Sequence, residues 1–281
     1  MLGIIFMIRM LACLPFLVLF GLLAVQTVVV EEVKPTQPKK KVKVKKDDLP
    51  EELRKGDILA FLNRSLKNYE AKVKGYKATL VKQERIGKRL KGQEIVECEF
   101  REDPHSVFMY WKKLDKSSFF KAKAAVFAKG KHKDKIVLES IIPFTSLTKV
   151  LHKPLNDSMV KSSSRYGIDK FGIKYGLLRV IDTWSKRQAE GTLFVKFKGI
   201  VEVPELDNQK CYVIHRDRFT QPEEDDIFDV VLYFDVKNLM QVGSVLHNKK
   251  KELVAYYFWK DLEINPDYPE NYFTEALLKK K

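Results

Sequence analysis

The chain has 281 residues, 45% of them hydrophobic and 32% charged, and 52 Lys and Arg against 37 Asp and Glu leave a net charge of +15. That apolar content excludes a disordered polymer, and the length allows one large domain or two small ones. The charge directs attention to anionic partners, such as acidic headgroups or a polyanionic wall, although the Lys are scattered as on a solvated surface.

Residues 1–30 read MLGIIFMIRMLACLPFLVLFGLLAVQTVVV, with no charge between Met10 and Val30 and Arg9 just before. Roughly 20 apolar residues suffice to cross a bilayer. The segment predicts a signal peptide or an uncleaved signal anchor, because its small-residue cleavage pattern is poor. Residues 31–49 predict a disordered basic tether: EEVKPTQPKKKVKVKK carries seven Lys, with Pro35 and Pro38 keeping it extended. Its Lys at 39–46 suit contact with anionic lipid or a polyanion. A basic flank of this kind tends to remain cytoplasmic, but the apolar segment ahead of a folded chain favours export, to the periplasm or to the periplasmic side of the inner membrane.

A folded domain is expected over 50–275, with a basic tail at 276–281. Residues 50–73 predict one amphipathic helix, through Leu53, Ile58, Leu62, Leu66 and Tyr69, starting at Pro50 and stopped by Gly75. GYKATLVKQERI and EIVECEFR then alternate as a hairpin, with Gly87 and Gly92 around the turn. PHSVFMYWKK is apolar on both faces, which predicts a central strand covered on both sides. Strands follow at 119–130 and 135–141, an irregular stretch at 142–165, and a second helix over 171–191 that ends at Gly191. The remainder predicts strands at 192–203, 210–219, 228–236, 239–248 and 253–264. No strand–helix alternation runs through the chain, so the expected class is α+β, with a single large, mostly antiparallel sheet and two main helices.

The chain lacks GxGxxG, Walker, HExxH, CxxC and GxSxG patterns. His105, His132, His152, His215 and His247 are dispersed, so no metal ligand set and no cofactor is expected, and nothing places a nucleophile beside a base. Glu84, Arg85 and Arg101 lie in strands, where a cross-strand ion pair is the expected use of charge. The acidic run Glu223-Glu224-Asp225-Asp226 fits a solvated loop. Cys98 and Cys211, each in a strand-like run, fit a disulfide or two buried thiols.

Three stretches carry a resemblance: Tyr76, Ala78, Leu80, Lys82, Gln83, Glu84, Arg85 and Ile86; Arg101, Pro104, Ser106, Val107, Met109 and Trp111; and Tyr257, Asp261, Leu262, Ile264, Asn265 and Pro266, with Phe273 after them. Together they resemble a bacterial envelope family of unknown function, related in architecture to the LolA-like lipoprotein carriers. The resemblance implies a sheet curled into a half-barrel, with helices closing an apolar concave side that holds acyl chains.

On that basis the expected function is non-enzymatic: an envelope protein binding a lipid or lipoprotein acyl chain. Phe100, Met109, Trp111, Phe197, Tyr256 and Phe258 are the candidate apolar wall, and residues 10–30 the membrane contact. The alternatives are a polyanion-binding protein, using Lys at 39–46, 129–135 and 249–251, or an interaction protein with a filled core. No specific nucleic-acid partner is expected, since the aromatics follow strand periodicity among Val, Leu and Ile rather than forming exposed platforms.

Overall fold

The computed structural model describes residues 40–42, 46–115, 121–142, 147–219 and 226–279. In chain order the strands are β1 Lys40–Val42, β2 Gly75–Ile86, β3 Arg89–Leu90, β4 Glu94–Arg101, β5 Ser106–Lys113, β6 Lys121–Ala128, β7 Lys135–Ile141, β8 Thr148–Pro154, β9 Phe194–Val203, β10 Gln209–Arg218, β11 Asp229–Asp235, β12 Gln241–His247 and β13 Leu253–Ile264. The helices are α1 Glu51–Lys55, α2 Ile58–Lys72, α3 Ser158–Lys161 and α4 Ile173–Ala189. All strands join one curved, open sheet, in the order β1-β9-β10-β11-β12-β13-β2-β4-β5-β6-β7-β8, with β3 paired to β2, and every pairing is antiparallel. The expected α+β architecture is therefore present.

After the short edge strand β1, the chain enters the middle of the sheet on β2 and meanders outward to β8. It then crosses the sheet and meanders back from β9 to β13, whose pairing with β2 joins the two halves. The run from β8 to β9 must travel from one side of the sheet to the other. α4 makes most of that crossing, and its 17 residues span about 25 Å. Topology thus lays α4 across one face. The Ile173 amide donates to Tyr76 Oη (3.3 Å), fixing the start of the helix over β2.

Register partners share a face. Leu80, Lys82 and Glu84 of β2 look the same way as Trp259, Tyr257 and Ala255 of β13, and β4 and β5 add Val96, Cys98, Met109 and Trp111. α2 and α4 cover this helical face. Phe61, Leu62, Leu177 and Trp184 pack there on Tyr212, Ile214, Leu232 and Phe234. The far face is covered differently in each half. Beside β5, β6 and β7, Phe273, Leu277 and Leu278 close over Phe108, Val126 and Val137. In the other half the sheet curls on itself: Pro204–Leu206, a 3-10 turn after β9, reaches β13, where Lys260 Nζ meets Asp207 Oδ1 at 2.8 Å.

Four expectations are corrected. Residues 50–73 form two helices, because Gly56 (φ 77°) takes a left-handed turn and Asp57 caps α2 by accepting from the Ala60 amide at 2.9 Å. Residues 148–154, expected to be irregular, form β8; they pair along β7 but are largely exposed, so no apolar alternation marks them. Within the expected disordered tether, Lys40–Val42 pairs with Ile200, Val201 and Glu202 as a short edge strand. The expected tail is part of the fold, since Leu277 and Leu278 are buried in a 3-10 turn, Glu275–Lys279. The apolar segment 10–30 lies outside the described residues, and no helix among the described residues is long and apolar enough to cross a membrane.

Gly75 starts β2 rather than ending a helix. A Cβ on it would stand 2.5 Å from the Phe100 carbonyl oxygen on the neighbouring strand. Gly75→Ala is expected to lower stability by about 1–3 kcal/mol, the range for forced overpacking, as read by urea unfolding. A change within error would show that β2 and β4 can separate there without loss.

Candidate functional site

A cavity of about 700 Å³ lies between the helical face and the cover formed by α4 and residues 155–172. Its sheet wall runs from Ile136 and Leu138 on β7 to Arg216 on β10. That is eight strand spacings, about 38 Å along the curved sheet. The void is an elongated tunnel, partly open to solvent, rather than a round pocket. Its apolar wall includes Leu80, Val96, Met109, Trp111 and Trp259 from the sheet, with Phe171, Val180 and Trp184 from the cover.

Gly176 also lines the tunnel, from the interior of α4. A glycine there weakens a helix by about 1 kcal/mol relative to alanine. A Cβ built on it meets nothing within 4 Å. The helix keeps a costly residue beside empty space.

The sheet wall carries a charged patch. Lys82 lies between Glu84 on its own strand (2.8 Å) and Glu94 directly opposite on β4 (3.3 Å), and all three are buried. Glu84 also accepts from Tyr257 Oη at 2.7 Å and from Ser164 Oγ at 3.2 Å, which ties the covering segment to the sheet. Burial disfavours charge on Lys82, but the two carboxylates outweigh it and hold its pKa above the usual lysine range. Burial likewise opposes ionisation of Glu84, and Lys82 with its own hydrogen bond and Tyr257 outweighs that and holds the carboxyl low. Next to this patch, Lys91 Nζ donates to the Ser163 carbonyl (2.8 Å) and Arg165 to the Arg85 carbonyl (2.9 Å). The expected cross-strand ion pair thus exists, but its cation is Lys82. Arg85 instead donates to the Leu253 carbonyl.

The six candidate wall residues separate. Met109 and Trp111 line the tunnel. Phe100 shares their face but is sealed in the core, stacked on Tyr76 with ring centroids 4.9 Å apart. Phe197 shares the face as well, in register with Ile214, and packs with the cluster under α2 and α4. Tyr256 and Phe258 point to the far face, opposite Tyr257 and Trp259, and fill the inside of the curl with Tyr233. Polar residues absent from the candidate wall also line the tunnel, among them the Lys82 patch and Arg216, Gln241 and Ser244. The i, i+2 spacing of Lys82 and Glu84 signalled a shared face; nothing local in the sequence signalled the others.

Elsewhere, Asp229 accepts from His215 (3.0 Å) and lies 3.6 Å from His247 and 3.3 Å from Lys251. Burial would raise its pKa, but His215, His247 and Lys251 around the carboxylate outweigh that and hold it well below the usual range. Among the described residues, no group of three or more His, Cys, Asp or Glu converges as a metal would require. Cys98 and Cys211 are free and buried, and burial pushes the Cys211 thiol up to about 12. Of the acidic run, Glu223, Glu224 and Asp225 lie outside the described residues.

The profile of one family, described as a protein of unknown function, DUF1571, matches residues 73–277. No curated protein matches. Among solved structures, the chain is similar to a DUF1329 family protein from Desulfovibrio piger, at 12% identity and TM-score 0.37 over 78% of this chain and 98% of that one. It is similar to the Mycobacterium tuberculosis lipoprotein LppX, at 10% identity and TM-score 0.41 over 75% and 98%. A LolA superfamily protein from Nitrosomonas europaea aligns at 8% identity and TM-score 0.32 over 77% and 98%.

Proposed function

The chain belongs to the DUF1571 family of proteins of unknown function, and we propose that it is an exported envelope protein that binds the acyl chain of a lipid or lipoprotein in the tunnel beneath α4. The observation that carries this reading is the tunnel itself: about 700 Å³, elongated and flanked by apolar side chains. Ligand sites fall at roughly 300–1,000 Å³. A linear chain matches a void that crosses nine strands better than a compact metabolite does. Each methylene it buries stabilises the complex by about 0.8 kcal/mol, so affinity needs no catalytic group. Met109 and Trp111 form the wall in this reading. Phe100, Phe197, Tyr256 and Phe258 support the sheet. Residues 10–30 serve as export signal or anchor, and the Lys at 39–46 lie against anionic headgroups.

The test uses the full chain, purified in an amphipathic polymer that does not enter as a detergent would. Native mass spectrometry of repeated preparations is expected to show bound lipid, and a fluorescent fatty acid is expected to bind at one site. Preparations that are empty and fail to bind the fatty acid would remove this function.

A further inference from the structure

Gln241 is out of place for a tunnel that takes only hydrocarbon. Its side chain lines the tunnel at 9% exposure, and its buried Oε1 has no hydrogen-bond partner among the described residues. An amide desolvated in this way is costly unless something completes its hydrogen bonds. Its orientation is set by the backbone. On β11, Tyr233 pairs with Gly243 but the next residue, Phe234, pairs with Gln241, leaving Val242 as the extra residue of a bulge. Val242 packs into the buried cluster with Tyr233, Val245, Tyr256 and Phe258, and Gln241 takes the same face as Phe234, toward α4. A bulge re-aims a side chain in this manner. Three residues on, Ser244 adds a hydroxyl to the same wall, in register with Leu232 and Tyr257.

We infer that Gln241, with Ser244, is a polar station that selects an acyl ligand bearing a hydroxyl group along its chain. The amide presents an acceptor and a donor, and a hydroxyl can satisfy both. A plain alkyl chain at this position leaves the amide buried and unpaired. The bound hydroxyl replaces its water partners with Gln241, whereas elsewhere along the apolar wall it would lose them without compensation. This inference rests on the acyl-chain reading above and narrows its ligand class.

Stearate and a set of mono-hydroxylated stearates, with the hydroxyl near the carboxylate, at mid-chain and near the tail, separate the two ideas. Each competes with the fluorescent fatty acid on the full chain in amphipathic polymer. One positional isomer is expected to bind roughly tenfold more tightly than stearate, as one compensated buried hydrogen bond allows. In Gln241→Leu that ratio is expected to fall to about one or to invert, and in Gln241→Asn to be partly kept. If no member of the set binds, the acyl-chain reading fails. If stearate binds the wild-type chain as well as every hydroxylated isomer does, the reading survives and the polar station is refuted. Wild-type binding alone decides this, whether or not the variants fold.

Discussion

Lys82→Met is expected to lower the stability of the domain by about 3–5 kcal/mol at neutral pH, the cost of removing one partner from a buried ion pair. The substituted side chain is apolar and of similar length, so packing contributes little to the loss. The cost comes from Glu84 and Glu94, which lie buried against Lys82 at 2.8 and 3.3 Å and would be left in the apolar interior without their cation. Tyr257 and Ser164 still donate to Glu84, which is why the domain should weaken rather than fail to form. The pH dependence distinguishes this cause from a packing defect. In the wild type, the Glu84 carboxyl is held below its usual pKa. It therefore contributes stability above the unfolded carboxylate value of about 4.3, and that contribution is lost as the pH falls below it. In Lys82→Met, burial without Lys82 raises the folded-state value above the unfolded one, so stability should rise as the pH drops through it. The gap between the two proteins should then narrow from pH ~7 to pH ~4.5 in urea unfolding. A gap that stays constant across that range would show that the charged patch is not what Lys82 maintains.

Gly176→Phe is expected to reduce fatty-acid affinity roughly a hundredfold while leaving the domain folded. A phenyl ring beneath α4 would displace on the order of four methylenes of ligand, about 3 kcal/mol. Folding should tolerate the ring because a Cβ at Gly176 has nothing within 4 Å and the residue sits in regular helix. Gly176→Ala is the companion variant, expected to raise stability by about 1 kcal/mol through helix propensity. Titration of the fluorescent fatty acid, with far-UV circular dichroism on the same samples, reads both. Wild-type affinity in a folded Gly176→Phe protein would place the ligand elsewhere.

Much of this arrangement was legible in the residues. Alternation of apolar and polar side chains marked β2 and β4, strand-like runs marked β10 to β13 close to their observed limits, and apolar residues on both faces of 104–113 marked β5 as an interior strand. The helix at 171–191 was marked by Ile173, Leu177 and Trp184, all buried on the sheet. β8 was not legible, because it is held by backbone pairing along β7 while its side chains remain largely exposed. Nor was the break at Gly56, where the apolar spacing continues across a left-handed turn.

The site divides along the same line. A period of two assigns Tyr256 and Phe258 to one face and Tyr257 and Trp259 to the other, and the sequence determined that split by itself. It carries no information on which way the sheet curls or what covers each face, because curvature accumulates over many strands and cover comes from distant segments. Tertiary structure decided both: the curl toward Pro204–Leu206 filled one face with Tyr233, Tyr256 and Phe258, and the crossing of α4 left the tunnel on the other. The bulge at Gln241 belongs to the second kind too, since it exists only as a mismatch of register between two strands.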